Sequence, residues 1–245
     1  MGKKSEVGEV WDKKWEKLNV NEFRKNALAY DPWTILHQPV IDKYAQKIGR
    51  DGIFLEAGCG MGYWCFYIAE KYKIKTLGVD VAEEIISKLQ KIKTEMTEFA
   101  VDDLNNSRLE SDSADMFISL GVIEHFKNSN PMVNNLYRLL KSGGIGLITV
   151  PNVYSMHTIT RPIAQLLGKW DIGLEKSFSP KKLKKLCQKN NFKIVECGVL
   201  PTGEMFGLFL NRLPILGKFF ERISFFIEKR QNTFGFVAYV IVTKK

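Results

Sequence analysis

The constraint that most narrows the fold is an alternation. Short runs with strand character at 52–57, 74–79, 97–101, 115–120, 145–150, 192–198 and 234–243 are separated by stretches of helical spacing near 62–72, 82–91, 131–141 and 180–190. The strand runs are largely apolar, which fits a sheet covered on both faces, so the core reads as α/β. Gly143-Gly144 is read as closing one helix before a strand, and Ser179-Pro180 as opening another with a cap and a first-turn proline. Three stretches fall outside the alternation. Residues 1–50 read as a helical N-terminal cap carrying Trp11, Trp15, Phe23, Tyr30 and Trp33, 151–178 as a loop-rich insert, and 200–232 as an apolar insert before the last strand. The expected organisation is a cap at 1–50 and one domain at 51–245, with cap and inserts covering one edge of the sheet.

Composition bounds the partners. A 245-residue chain with 45% hydrophobic residues can bury a sizeable core. Its 36 Lys and Arg against 27 Asp and Glu, a net +9, favour anionic partners. The lysines are mostly scattered, however, and the densest cluster, "KKLKK" at 181–185, surrounds a leucine as an exposed helix face does, which argues against nucleic acid. Cys59, Cys65, Cys187 and Cys197 form no CxxC pair and are read as free thiols of a reducing, cytoplasmic compartment. No apolar stretch follows the charged N-terminal residues, and Glu6 stands where an acylation signal takes Ser or Thr. The most apolar region, 205–227, is cut by Asn211, Arg212, Pro214, Lys218, Glu221 and Arg222, too often for a membrane span. Within it, "PILGKFFERISFFIEK" sets Ile215, Leu216, Phe219, Phe220, Ile223, Phe226 and Ile227 at helical spacing; packing on the domain and peripheral membrane contact through 205–230 are both open.

The segment "FLEAGCGMGYW" at 54–64 places Gly58, Gly60 and Gly62 directly after a strand. In an open parallel sheet, a glycine-rich first strand-to-helix turn admits a ligand against bare backbone at the carboxyl ends of the strands. A dinucleotide site uses GxGxxG, but Tyr63 holds the final position, so an NAD-linked oxidoreductase is the weaker reading. The next strand, "IKTLGVD", ends in Asp80, whose carboxylate can accept both hydroxyls of a ribose. Asp102-Asp103 in "VDDL" offers an acid for an adenine amine. Asp80 and Asp103 can alternatively cap following helices.

In order along the chain, "EAGCGMG", "GVD", "VDDL", "ADMFISLGVIEHF" and "RLLKSGGIGLITVPN" resemble the class I S-adenosylmethionine-dependent methyltransferases, in particular the ubiquinone/menaquinone-pathway and sugar-modifying type. The resemblance covers about residues 52–152, with a weaker echo in "FSPKKLKKLCQKNNFKIVE". It implies a Rossmann-like, mostly parallel seven-stranded sheet whose last strand, "GFVAYVIVTKK", is antiparallel. It also implies that Gly58, Gly60, Ala57 and Cys59 approach the methionine part of S-adenosylmethionine, with Glu56 near its amino group. Asp80 would hold the ribose, Val81 would lie beside the adenine, and Asp103-Leu104 would face the adenine amine, with Asp102 as the alternate register. Leu120 and Gly121 would line the sulfonium side.

Glu124-His125 follows the fourth strand. His125 is the candidate catalytic base for a hydroxyl nucleophile, and a histidine there can equally tie down its own loop. Some quinone-pathway relatives add a glutamate where this chain has Gly121; two ligands from one loop make a poor site, so no metal is expected. Trp33, Tyr154, His157 and Arg161 are candidate substrate contacts, although large aromatics are more often core anchors. The expected activity is methylation, at oxygen or nitrogen, of a small-molecule, glycan, quinone or lipid-type acceptor, leaving S-adenosylhomocysteine. The alternative is a non-catalytic S-adenosylmethionine sensor or a membrane-surface scaffold.

Overall fold

The computed structural model describes residues 6–155, 157–201, 222–223, 225–226 and 233–245. Seven strands form one sheet: β1 (Ile53–Ala57), β2 (Lys75–Asp80), β3 (Thr97–Val101), β4 (Ala114–Leu120), β5 (Leu140–Pro151), β6 (Lys193–Leu200) and β7 (Val237–Thr243). Their order is β3-β2-β1-β4-β5-β7-β6. The first five pair in parallel, and β7 runs antiparallel to both β5 and β6, as expected for a class I methyltransferase sheet. After β3 the chain crosses back to place β4 on the other side of β1. The loops leaving β1 and β4 therefore diverge, and a crevice opens at their carboxyl ends.

Alternation along the strands divides the core in two. On one face Phe54, Met116, Leu147 and Ile241 pack with helix α3 (Pro32–Ala45) and helix α4 (Tyr63–Tyr72). On the other, Leu55, Phe117, Ile148 and Val240 meet α6 (Asn130–Leu139) and α8 (Pro180–Lys189). Helix α5 (Glu83–Gln90) buries Ile85, Ile86 and Leu89 beside Phe66 and Phe99. Its first turn carries Glu83 and Glu84, favourable against the positive end of the helix dipole. Ser179 caps α8, its Oγ accepting from the Lys182 amide at 3.2 Å, with Pro180 in the first turn.

Three expectations are corrected. The N-terminal helices α1 (Glu6–Trp15), α2 (Val20–Tyr30) and α3 do not simply cover an edge. Ile41, Tyr44 and Ala45, at helical spacing, bring α3 down onto a sheet face whose apolar side chains need cover. Gly143-Gly144 does not end a helix. The helix ends at Leu139, and both glycines lie inside β5, where the register against β4 shifts between Ala114 and Met116. Gly143, at φ +77°, takes the left-handed conformation such an irregularity needs and donates to the Lys244 carbonyl at 2.8 Å. The insert at 151–178 holds a helix, α7 (His157–Leu166), so it is less loop-like than its sequence reads. Most of the insert at 200–232 lies outside the described residues.

Candidate functional site

A cavity of about 440 Å³ opens at the carboxyl ends of the parallel strands, between the sheet and α1. The glycine turn after β1 forms its floor. Gly58 (φ +82°) lies so close to the loop after β4 that a Cβ there would stand 2.4 Å from Val122 Cγ2. The Gly58 and Cys59 amides both donate to the Val79 carbonyl at 2.8 Å, which pins the turn to β2. Gly60 (φ +45°) donates to Asp80 Oδ2 at 2.9 Å, and Asp80 Oδ1 accepts from the Ala82 amide at 3.0 Å. A Cβ on Gly60 would stand 3.1 Å from Trp15 Cζ2, so α1 rests against bare backbone.

Two further acids shape this half. Glu56 is buried, and its Oε2 accepts from the Cys65 amide at 3.0 Å. Burial, with a smaller push from Asp80, raises it to about 8, so the group holds its proton at neutral pH until a cation reaches it. Asp102 lines the cavity, and its Oδ2 is buried without a hydrogen-bond partner. Asp103 is turned instead into a local loop, its Oδ1 accepting from the Asn105 amide at 2.9 Å, and is not part of the lining. The structure thus brings Asp102, the alternate register, to the cavity. Cys59, Val81, Leu104, Leu120 and Gly121 also line it, whereas Ala57 is packed into the core.

These residues fit an adenosyl ligand on observations of this chain: an orphaned carboxylate oxygen at Asp102, a proton-bearing Glu56, and an exposed peptide turn between them. Tyr63, the first residue of α4, lines the cavity where a third glycine would leave room for a pyrophosphate.

The other half lies beyond Gly121. A short 3-10 turn, Ile123–His125, buries both Glu124 and His125. His125 Nδ1 lies 2.7 Å from the Leu174 carbonyl, which can only accept, so Nδ1 carries the proton and Nε2 keeps its lone pair in the neutral ring. Burial holds its pKa below the usual histidine value. Trp11 meets the His125 ring edge-on at 5.2 Å. Trp33 lines the cavity above His37, a fully buried histidine whose Nδ1 contacts the Trp33 carbonyl at 2.7 Å; burial pushes His37 down to about 4.

His157 and Arg161, both on α7, are gathered on Glu175, at 2.5 and 3.1 Å from its Oε1. Glu175 lines the cavity, and its partners hold its pKa below the ordinary value against the opposing effect of burial. His157 and Arg161 therefore reach the cavity through Glu175. Tyr154 is half exposed against Phe234 and outside the lining. Among the described residues, no group of three His, Cys, Asp or Glu side chains is gathered for a metal.

Trp11, Trp15, Glu175 and Phe236 also line the cavity, and none was singled out from the sequence as a site residue. The two tryptophans carried a usable signal: four residues apart on one helix, they stack at 5.5 Å. Glu175 carried none, because it sits in the irregular stretch between α7 and α8.

The methyltransferase-domain family matches residues 22–197. A probable S-adenosylmethionine-dependent methyltransferase of Mycolicibacterium smegmatis is 30% identical over 121 residues, 49% of this chain and 46% of that protein, so this chain spans less than half of that relative's length. A solved complex of the Haloferax volcanii Trm112 methyltransferase activator with the putative methyltransferase matches with a TM-score of 0.68 at 15% identity, over 97% of this chain and 96% of the matched one. Haemonchus contortus phosphoethanolamine N-methyltransferase 2, solved with phosphomonomethylethanolamine and S-adenosylhomocysteine, matches with a TM-score of 0.66 at 15% identity, over 98% of this chain and 61% of that one. With the family model matched over residues 22–197, most of its length, the chain belongs to the methyltransferase-domain family.

Proposed function

We propose that this protein binds S-adenosylmethionine in the cavity and transfers its methyl group to a small-molecule acceptor, at nitrogen or oxygen. The observation that carries the reading is the row of groups from Glu56 through Gly60 and Asp80 to Asp102, one from each of the first three strand ends or the turn between them. In this reading Glu56 meets the amino group, Asp80 the ribose, and Asp102 Oδ2 the adenine amine. Leu120 and Gly121 border the sulfonium. The donor supplies an already activated methyl group, so the protein's task is orientation and exclusion of water. Trp11 and Trp15 close the cavity from above, while His125 Nε2 is placed to accept a proton from the nucleophile.

Calorimetry with S-adenosylhomocysteine tests the donor site, and a methyl-transfer screen over amine, hydroxyl, glycan, quinone and lipid acceptors tests the reaction. Tight binding without transfer to any of them would favour the sensor. The finer reading, a lipid or glycan precursor met at a membrane surface, is supported by Ile159, Ile163, Leu166 and Leu167. These lie exposed at helical spacing on or just after α7, in a chain of net charge +9. Failure to co-float with anionic vesicles would remove it. Among the described residues no helix is long and apolar enough to cross a membrane. A cytoplasmic location is supported by the four cysteines, all free thiols.

A further inference from the structure

The cavity holds two carboxyl groups beyond Gly121, and only one is matched by cations. Glu175 is paired with His157 and Arg161. Glu124, 2% exposed, forms no ion pair among the described residues, and its Oε2 is buried without any hydrogen-bond partner. Its nearest cationic influence is Lys176, whose Nζ is engaged with the Lys127 carbonyl and Ser129 Oγ at 3.3 and 2.9 Å. A buried acid with no partner is costly unless something arrives to pair with it.

Its surroundings indicate what arrives. A Cβ built on Gly121 would lie 3.4 Å from Glu124 Oε1 and 3.5 Å from Trp33 Cζ2, so the carboxyl and the indole flank the same point at the end of β4. Phe236 stands edge-on to Trp33 at 6.2 Å, and Trp11 lines the same cavity beside His125. A buried carboxyl among aromatic rings is a setting for an ammonium group: burial, with Glu175 nearby, favours its protonated form, and an arriving cation that the rings also attract draws out the countercharge. A neutral hydroxyl would use neither.

We propose that Glu124, with Trp33, forms an ammonium-binding subsite, and that the acceptor is an amine. The inference rests on the donor reading above and names the acceptor class for that same site. An ammonium acceptor held there must first lose one proton, to solvent or to the free lone pair of His125 Nε2. The freed nitrogen lone pair then forms a bond to the methyl carbon as the carbon–sulfur bond breaks, and sulfur keeps that electron pair. The positive charge leaves sulfur and reappears on nitrogen, next to Glu124; because the bound ammonium already carries such a charge, the acid selects a cationic acceptor and holds the methylated product rather than lowering the barrier. Glu124 is accordingly a specificity-determining residue.

The test isolates charge. Choline and its carbon isostere 3,3-dimethylbutan-1-ol differ only in the cationic nitrogen. Each is titrated into the full chain saturated with S-adenosylhomocysteine. Choline is expected to bind at least about tenfold more tightly than the isostere, and Glu124→Gln is expected to cut that preference to less than about twofold while S-adenosylhomocysteine affinity changes less than about threefold. Equal binding of the pair, no binding of choline, or a preference that survives Glu124→Gln would each overturn the proposal. The wild-type comparison needs no variant, so misfolding of Glu124→Gln leaves it decisive. If S-adenosylhomocysteine itself fails to bind, the donor reading falls; if it binds and choline shows no preference, only the amine subsite falls.

Discussion

At the scale of single residues, the site is governed by acids whose partners are missing or shared. Glu56, raised from 4.5 to about 8 by burial, contributes stability to the ligand-free protein that is fully present below about 4.5 and is lost as pH rises through about 8. A ligand ammonium reverses that penalty by favouring the ionised form. Binding of S-adenosylhomocysteine is therefore expected to release a proton near neutral pH and to weaken on acidification below 8, by up to about tenfold per pH unit. Calorimetry in two buffers of different ionisation enthalpy reads the proton directly; a buffer-independent enthalpy would separate Glu56 from the ligand. Asp80→Ala, which also frees the Gly60 amide, is expected to weaken the same ligand by roughly 1–3 kcal/mol. Sequence located Asp80 by its position after a strand, but it favoured Asp103 over its neighbour Asp102, whereas Asp102 lines the cavity. Which of two adjacent acids faces a cavity depends on how the chain leaves β3, and Asp103 is consumed by its own turn with Asn105.

At the scale of elements, α1 and α3 do different work. Helix α3 is structural: Ile41 is fully buried against the sheet, and Ile41→Ala is expected to cost about 2–5 kcal/mol in denaturant unfolding with little change in ligand affinity once folded. Helix α1 is a cover. It is held to α5 by the Glu84 amide donating to Asp12 Oδ1 at 2.9 Å, and by Lys88 Nζ donating to the Trp15 and Glu16 carbonyls. Trp15→Ala removes the indole over Gly60 and is expected to speed S-adenosylhomocysteine release about tenfold, ~1.4 kcal/mol, in stopped-flow displacement. All seven strands were legible in the sequence because each contains a short run rich in apolar, β-branched or aromatic residues, set between turn residues and helical stretches. The role of α3 was not, since a helix covering a face and one covering an edge share the same periodicity. Gly143-Gly144 misled for a similar reason: a left-handed glycine serves a helix end and a strand irregularity equally well.

For the whole molecule, ligand and fold are linked through the turn between β1 and α4, which is tied to β2 through Val79 and Asp80. Saturation at about 100 times Kd with S-adenosylhomocysteine should add about 2.7 kcal/mol. For a chain of this size that is a rise of roughly 5–10 °C in Tm by differential scanning fluorimetry, with NAD at the same concentration giving none. An equal rise with NAD would return the glycine turn to the dinucleotide reading. The donor half of the site was legible because it lies in contiguous strand-end motifs. In the far half Trp33, His125, His157 and Arg161 were named singly, but Glu175, which gathers His157 and Arg161 from 14 to 18 residues away, was not, because that meeting depends on how the insert folds.

Lys14, one residue before Trp15, reaches Asp171 in the same insert at 3.0 Å. The helix that covers the glycine turn is thus fastened to the insert that carries Glu175. In the proposed reading, lifting that helix to exchange spent donor also breaks its tie to Asp171, so the two halves of the cavity open together.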